Sequence, residues 1–217
     1  MINSDERKLE LSGWLMENDP ESYNDPLKLQ KFLFLYESFS KAHGKPADFD
    51  YLRGYKNGPV FSTVYGDYTK ERNEFDRQAR VRYLATRSVD NCDAMRSDFV
   101  VRILSDDDLS DLTHQMNIWS AKEPWILAGR KQVSLDESDF NQNDVNLMYL
   151  LETMYPDELI ADSCVLKIRD HYFVFSKEDY NHLTNEHRNA LSTIARREEL
   201  HNPVYVEIDE EGSLLID

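Results

Sequence analysis

Residues 27–44 read LKLQKFLFLYESFSKAHG, and the middle of this stretch, residues 32–36, is apolar on every side of a helix. Asp25 and Pro26 come directly before it, as expected of an N-cap followed by a first-turn proline. Gly44 supplies the residue type that most often follows the end of a helix. Because a helix that is apolar all round must be buried on most sides, we predict that this is the central helix of the domain.

The next distinctive stretch is YKNGPVFSTVY at residues 55–65. It follows a short segment, residues 47–55, whose aromatic residues alternate as in a strand. We interpret Asn57-Gly58-Pro59 as a turn that starts a second helix, with the proline near its first position. The inward face of that helix would consist of Val60, Phe61, Val64, Tyr65 and Tyr68.

The rest of the chain divides by pattern near residue 160. Before it, helical spacing of apolar residues recurs over residues 5–18, 71–87, 91–104, 105–119 and 136–154. After it, two β-rich hairpins, residues 164–176 and 204–216, flank a helical stretch, residues 177–200. We therefore predict a mainly α protein, α+β overall. A helical domain would cover residues 1–160, and a small ββαββ-like extension, residues 161–217, would pack on it.

The charge of the chain is strongly acidic, with 25 Lys and Arg against 41 Asp and Glu, a formal net charge of −16. Such a surface repels nucleic acid, so we expect no direct nucleic-acid binding. Two interpretations remain open. Either the acidic residues serve only solubility, or they form a surface that docks on a basic partner.

The localisation of the chain is predicted from three features. Its uncharged apolar runs, such as FLFLY, are far shorter than the ~18 residues of a membrane span. The first residues, MINSDERKLE, are charged and lack the apolar core of a secretory signal. The two cysteines, Cys92 and Cys164, lie too far apart for a metal or redox motif. We expect a cytoplasmic protein with reduced thiols and no membrane contact.

Motifs for catalysis are absent from the sequence. It contains no GxGxxG, no GxxxxGK[ST] and no GxSxG. His182 and His187 are five residues apart, whereas two zinc ligands on one helix face are four apart. The acidic run at residues 106–108 is explained by its favourable place at a helix N-terminus. We predict no catalytic residue, no cofactor and no metal site.

Two pairs of residues are candidates for contact with a partner. Lys28 and Lys31 are three apart and face the same way on the central helix, where their stems could instead cover apolar surface at a solvated edge. Trp119 and Trp125 flank Pro124, and they either pack in the core or anchor an interface, where tryptophan is enriched.

Three stretches together resemble a known family. Residues 27–36, residues 55–65 and LSDLTHQMNIWSAKEPW at residues 109–125 are similar, in this order, to the conserved segments of the Panacea domain family, also called SocA-like or GepA-like. The resemblance covers about residues 10–155 and leaves the C-terminal extension outside. This chain departs from the family pattern in two places. Lys56-Asn57 stands where members often carry an aromatic residue and glycine, and the spacing between LTH and PW is longer.

The resemblance implies a mostly helical fold without catalysis and a role as the antitoxin of a toxin–antitoxin pair, encoded by a prophage or mobile element. Such a protein neutralises a cognate toxin by direct binding. Some members look like proteolytic adaptors, which makes a protease or chaperone a second expected partner. The residues we expect to contact a partner are Lys28, Lys31, Tyr55, Asn57, Tyr65, His114, Trp119 and Trp125.

Two other functions stay open at this stage. An acidic mimic of nucleic acid would carry its Asp and Glu residues in one continuous stripe. An unrecognised hydrolase would have a concave site with paired carboxylates, or with His114 beside an acid.

Overall fold

A computed structural model describes residues 2–196 and 200–217 of the chain, and it is mainly α-helical with two small β-sheets. Contacts divide the chain into two compact units. The first comprises residues 1–101 and 106–154, and the second comprises residues 102–105 and 155–217. The fold class is therefore the predicted one, mainly α and α+β overall.

The helices of the first part of the chain follow the predicted order, with additional short turns. They are α1 (Glu6–Asn18), α2 (Pro20–Asn24), α3 (Pro26–Ala42), α4 (Ser62–Lys70), α5 (Arg72–Thr86), α6 (Asn91–Ile103), α7 (Asp106–His114), α8 (Asn117–Ser120), α9 (Glu123–Leu127) and α10 (Gln142–Met154). A short 3-10 turn, Glu137–Asp139, precedes α10.

Helix α3 is the central helix, as predicted. The Asp25 carboxylate accepts hydrogen bonds from the backbone N–H groups of Leu27 (2.8 Å) and Lys28 (3.2 Å), which satisfies donors that the helix leaves free. At the other end Gly44 adopts a φ of +67°, the left-handed conformation that glycine tolerates best. The apolar residues at positions 32–35 are fully buried. The sequence pattern therefore located both ends and the burial of this helix.

A three-stranded antiparallel sheet stands beside α3, with the order β2-β1-β3. Its strands are β1 (Leu52–Tyr55), β2 (Gly58–Phe61) and β3 (Val133–Ser134). The prediction of a helix that begins at Pro59 was wrong, because residues 59–61 pair with β1 and the helix begins only at Ser62. A proline is tolerated in β2 because this strand lies at the edge of the sheet.

A buried ionic cluster joins α1 to α3. The Glu37 carboxylate, with a side chain fully excluded from solvent, accepts a bidentate pair of bonds from Arg7 at 2.8 and 2.9 Å. It also accepts from Lys8 Nζ at 2.8 Å and from the backbone N–H of Asp48 at 3.0 Å. Lys8 is itself fully buried, so each of these charges depends on the others for compensation.

The second unit contains the predicted hairpins. Its elements are α11 (Asp157–Asp162), β4 (Ser163–Ile168), β5 (His171–Ser176), α12 (Lys177–Asn181), α13 (Asn185–Ile194), β6 (Val204–Ile208) and β7 (Leu214–Ile216). The sheet has the order β4-β5-β6-β7, with β5 and β6 parallel and the other pairs antiparallel. Its core is formed by Phe173, Phe175, Leu191, Ala195, Val204 and Val206.

The helical stretch predicted between the hairpins, residues 177–200, is two helices rather than one. Thr184 breaks it, because its hydroxyl accepts the backbone N–H of His187 and thereby caps α13. Residues 197–199 of this prediction lie outside the described part of the chain. No helix within residues 2–196 and 200–217 is long and apolar enough to cross a membrane.

Candidate partner-binding cleft

A cleft of about 470 Å³ opens between the start of α3 and the β1–β2 hairpin. Its lining residues are Pro26, Leu27, Gln30, Lys31, Tyr55, Lys56, Asn57, Pro59, Val60, Tyr65 and Lys131. As far as the structure describes the chain, this lining contains three lysines and no Asp or Glu. In a chain of net charge −16 the cleft, with Lys56 and Lys131 exposed, is thus a locally basic surface.

Two tyrosines form the aromatic part of the cleft. Tyr55, the last residue of β1, donates its hydroxyl to Gln132 Oε1 at 2.6 Å, and burial raises its pKa, with a further contribution from Tyr65. Tyr65 lies in α4 and keeps 44% of its surface exposed. The hairpin and α4 together therefore present one ordered and one accessible ring, the kind of side chain that dominates binding energy.

Lys31 lies at the inner side of the cleft, with only 1% of its surface exposed. Its Nζ donates to the carbonyl oxygen of Asn57 at 2.7 Å and to Thr113 Oγ1 at 2.6 Å. Burial lowers the pKa of Lys31 to about 7, although the charge of Asp106 partly opposes the shift. A neutral amine still has two N–H donors, so both hydrogen bonds persist in either protonation state.

The close approach of this amine requires glycine at position 58. Gly58 has a φ of +108°, a region that L side chains rarely adopt. A Cβ at this position would overlap Lys31 Nζ and lie 2.7 Å from Thr113 Oγ1. The hairpin turn therefore fits over Lys31 only because residue 58 has no side chain.

Two further predicted residues support the hairpin from inside. Trp119 is 2% exposed, and its Nε1 donates to the carbonyl oxygen of Tyr55 at 3.1 Å. His114 stacks on the Trp119 ring with centroids 3.8 Å apart. It hydrogen-bonds the backbone of Lys56, and its pKa is lowered by burial and by the nearby Lys31. Its Nε2 is buried without a protein partner in the described ranges.

The eight residues predicted to contact a partner therefore separate into groups. Lys31, Tyr55, Asn57 and Tyr65 line the cleft. His114 and Trp119 form a second group, beneath the hairpin. The prediction that Trp119 is a surface anchor was wrong, because its ring is enclosed between His114 and the hairpin backbone.

The remaining two residues lie outside the cleft lining. Lys28 is 5% exposed, and Trp125 is 44% exposed with Lys122 Nζ 5.9 Å from its ring centroid. The interpretation of Lys28 and Lys31 as a solvated edge was also wrong, since both side chains are buried.

Lining residues that the sequence analysis missed include Gln30, Lys56 and Lys131. Gln30 could have been found, because it is a polar residue on an otherwise apolar stretch, and its Oε1 accepts the N–H of Phe61 at 2.8 Å. Lys131 could not, because it belongs to a segment remote in sequence from the other lining residues.

Lys31 is expected to make stability depend on pH. Its pKa is lowered from an ordinary 10.5 to about 7, so between these pH values the unfolded chain binds more protons than the folded chain, and the free energy of unfolding rises with pH. In this window, the free energy of unfolding of the native protein should rise by up to about 1.4 kcal/mol per pH unit more than that of Lys31→Met. Urea unfolding of both proteins, followed by tryptophan fluorescence at pH 6.5–9.5, measures this difference. The prediction is contradicted if the free energies of unfolding of the two proteins change with pH in parallel.

Comparisons of the chain with protein-family models, with curated proteins and with solved structures found no match. Across the described residues, no group of three or more His, Cys, Asp or Glu side chains is arranged to hold a metal ion. The function is therefore argued from the geometry of the cleft and from the residue pattern.

Proposed function

We propose that this chain is an antitoxin-like protein-binding module that neutralises a cognate toxin by direct contact, and that the cleft beside the β1–β2 hairpin is its docking surface. One observation carries the proposal: in a strongly acidic chain, the described lining of this cleft has aromatic walls, three lysines and no Asp or Glu. The module acts in the cytoplasm, and its two cysteines are free thiols.

The resemblance to the Panacea family supports this choice of surface. Residues 27–36 contribute Leu27, Gln30 and Lys31 to the lining, and residues 55–65 contribute Tyr55 and Tyr65. The third stretch, residues 109–125, supplies Thr113, His114 and Trp119, which hold Lys31 and the hairpin from inside. The three segments that carry the resemblance thus converge on one place in the fold.

The chemistry of the cleft indicates the segment that would fill it. Lys56 and Lys131 are exposed at its rim and attract carboxylates, while Leu27, Val60 and Tyr65 offer apolar contact. An acidic segment of the toxin with an apolar or aromatic residue satisfies both requirements.

The alternatives have less support from the same geometry. A hydrolase needs an acid beside His114 or paired carboxylates in the cleft. Asp111 and Glu123 lie near enough to His114 to act on its charge, but the His114 ring stacks on Trp119 beneath the hairpin and the described lining of the cleft is free of carboxylates. A nucleic-acid mimic needs a continuous acidic stripe. Along α5, acidic residues pair instead with arginines, as Glu74 does with Arg77 and Glu17 of α1 with Arg80.

The proposal is tested with the product of the gene next to the one encoding this chain. We expect that product to arrest growth when expressed alone, to be harmless when co-expressed with this chain, and to co-purify with it. A neighbour that is harmless alone and forms no complex would refute the proposal.

The cleft itself is tested by charge reversal. Lys56→Glu/Lys131→Glu should weaken the complex at least about tenfold, since like charges across an interface cost several kcal/mol. The control Lys70→Glu/Arg87→Glu changes the net charge equally at exposed positions outside the cleft lining and should bind as the native chain does. Calorimetry of the purified complex gives both affinities, and equal weakening by the two variants would exclude the cleft as the docking surface.

A further inference from the structure

A second cleft lies in the C-terminal unit, where the parallel strands β5 and β6 separate. Their register contains only two pairs, Phe173 with Val204 and Val174 with Tyr205. Beyond these pairs the strands continue to Ser176 and Ile208 without a ladder between them in the described part of the chain. The diverging strand ends line a cleft of about 540 Å³, within the ~300–1,000 Å³ typical of binding sites.

The walls and rim of this second cleft differ in character. Leu159, Val174 and Ile208 contribute apolar surface. Four carboxylates also line it, those of Glu158, Asp162, Asp179 and Glu207, and the described lining includes no Lys, Arg or His. Its charge is therefore opposite to that of the cleft in the first unit.

Three of these four carboxylates, those of Glu158, Asp162 and Glu207, belong to exposed residues. Asp179 accepts a hydrogen bond from Ser176 Oγ at 2.9 Å, which fixes its carboxylate at the end of β5. A cation that enters the cleft would thus meet one fixed and three exposed carboxylates, and its methylene stem would pack against the apolar walls.

We propose that the cleft between β5 and β6 binds an extended segment of a partner protein that carries lysine or arginine. The apolar walls take the methylene stem, the carboxylates take the cationic head, and the free edges of the diverging strands take the backbone of the segment. The inference rests on the proposed function as a protein-binding module. It adds a second contact surface and names the chemistry of the segment that would occupy it.

The test uses the full chain and a defined probe, an acetylated and amidated peptide of alternating lysine and threonine. In NMR titrations of the ¹⁵N-labelled chain, we expect the largest shifts at residues 158–162, 174–179 and 205–208. Neutralising the cleft with Asp162→Asn/Glu207→Gln should weaken binding at least about tenfold. The control Glu210→Gln/Glu211→Gln removes the same charge at exposed positions of the β6–β7 turn, outside the cleft, and should leave the affinity unchanged.

Three results would overturn the inference: equal affinity for a matched glutamate–threonine peptide, shifts confined to residues outside the cleft, or equal loss of affinity in the control variant. The peptide titration does not involve the neighbouring gene product. A peptide that binds as expected while the neighbour forms no complex would therefore refute the antitoxin proposal alone, and the reverse result would refute the second cleft alone.

Discussion

Gly58→Ala is expected to destabilise the first unit by about 3 kcal/mol or more, because strained backbone at a non-glycine residue costs ~1–3 kcal/mol and a steric overlap adds to it. The added methyl group would take the space of Lys31 Nζ, which donates hydrogen bonds to Asn57 and Thr113 and is enclosed by them and the hairpin turn. The amine would have to leave both acceptors. We therefore expect loss of the hairpin turn and, with it, of the cleft.

Two other glycines provide matched controls. Gly44 also has a positive φ, +67°, but open space around it, so Gly44→Ala gives the cost of a left-handed backbone without a steric overlap. Gly66 lies within α4 and has open space where an added Cβ would lie, so Gly66→Ala should be neutral or stabilising by up to ~1 kcal/mol. Urea unfolding followed by tryptophan fluorescence compares the three. If Gly58→Ala cost no more than Gly44→Ala, the overlap with Lys31 would be refuted.

Glu37→Leu is the second substitution with a large expected effect, a loss of about 3–5 kcal/mol in the free energy of unfolding. Removing this carboxylate leaves the fully buried Lys8 ammonium with the partly exposed Asp48 carboxylate, 3.2 Å away, as its remaining counter-charge. The Arg7 side chain is 35% exposed and can turn towards water, so most of the loss in the free energy of unfolding comes from Lys8.

A double variant separates the charge effect from a packing effect. Lys8→Met/Glu37→Leu removes both buried charges and should be more stable than Glu37→Leu alone, because the penalty comes from a buried charge that has lost its buried partner rather than from the absence of the pair. As a control, Glu17→Leu breaks an exposed ion pair with Arg80 and should cost less than ~1 kcal/mol. A double variant no more stable than Glu37→Leu would contradict this account of the cluster.

Local signals in the sequence predicted much of the fold. Asp25, Pro26 and Gly44 mark the ends of α3 through interactions within one or two turns, and the hairpins of the second unit follow from alternation over a few residues. The strand β2 could not be predicted in this way. Val60, Phe61 and Val64 also fit a helical spacing. Residues 59–61 form a strand rather than a helix because they pair with β1, in a sheet whose third strand comes from residues 133–134.

The candidate site was predictable only in part. The residues around the hairpin turn were recognisable because the motif is contiguous. The burial of Lys31 was not, because one of its two acceptors, Thr113, is 82 residues away, and a lysine on a helix is ordinarily solvated. The chain-wide charge also pointed to an acidic docking surface, whereas the cleft of the first unit is basic. Net charge is a sum over the whole chain and does not describe its distribution.

The contact among Lys31, Gly58 and Thr113 also constrains how this protein can diverge. A side chain at position 58 becomes acceptable only if position 31 no longer projects an amine into the same space, so the two positions should change together during evolution. Relatives that retain glycine at 58 should carry a long hydrogen-bond donor at 31 and a hydroxyl or other acceptor at 113. Relatives that have lost the glycine should carry a short residue at position 31. Position 113 would then no longer need a hydrogen-bond acceptor and should vary in residue type.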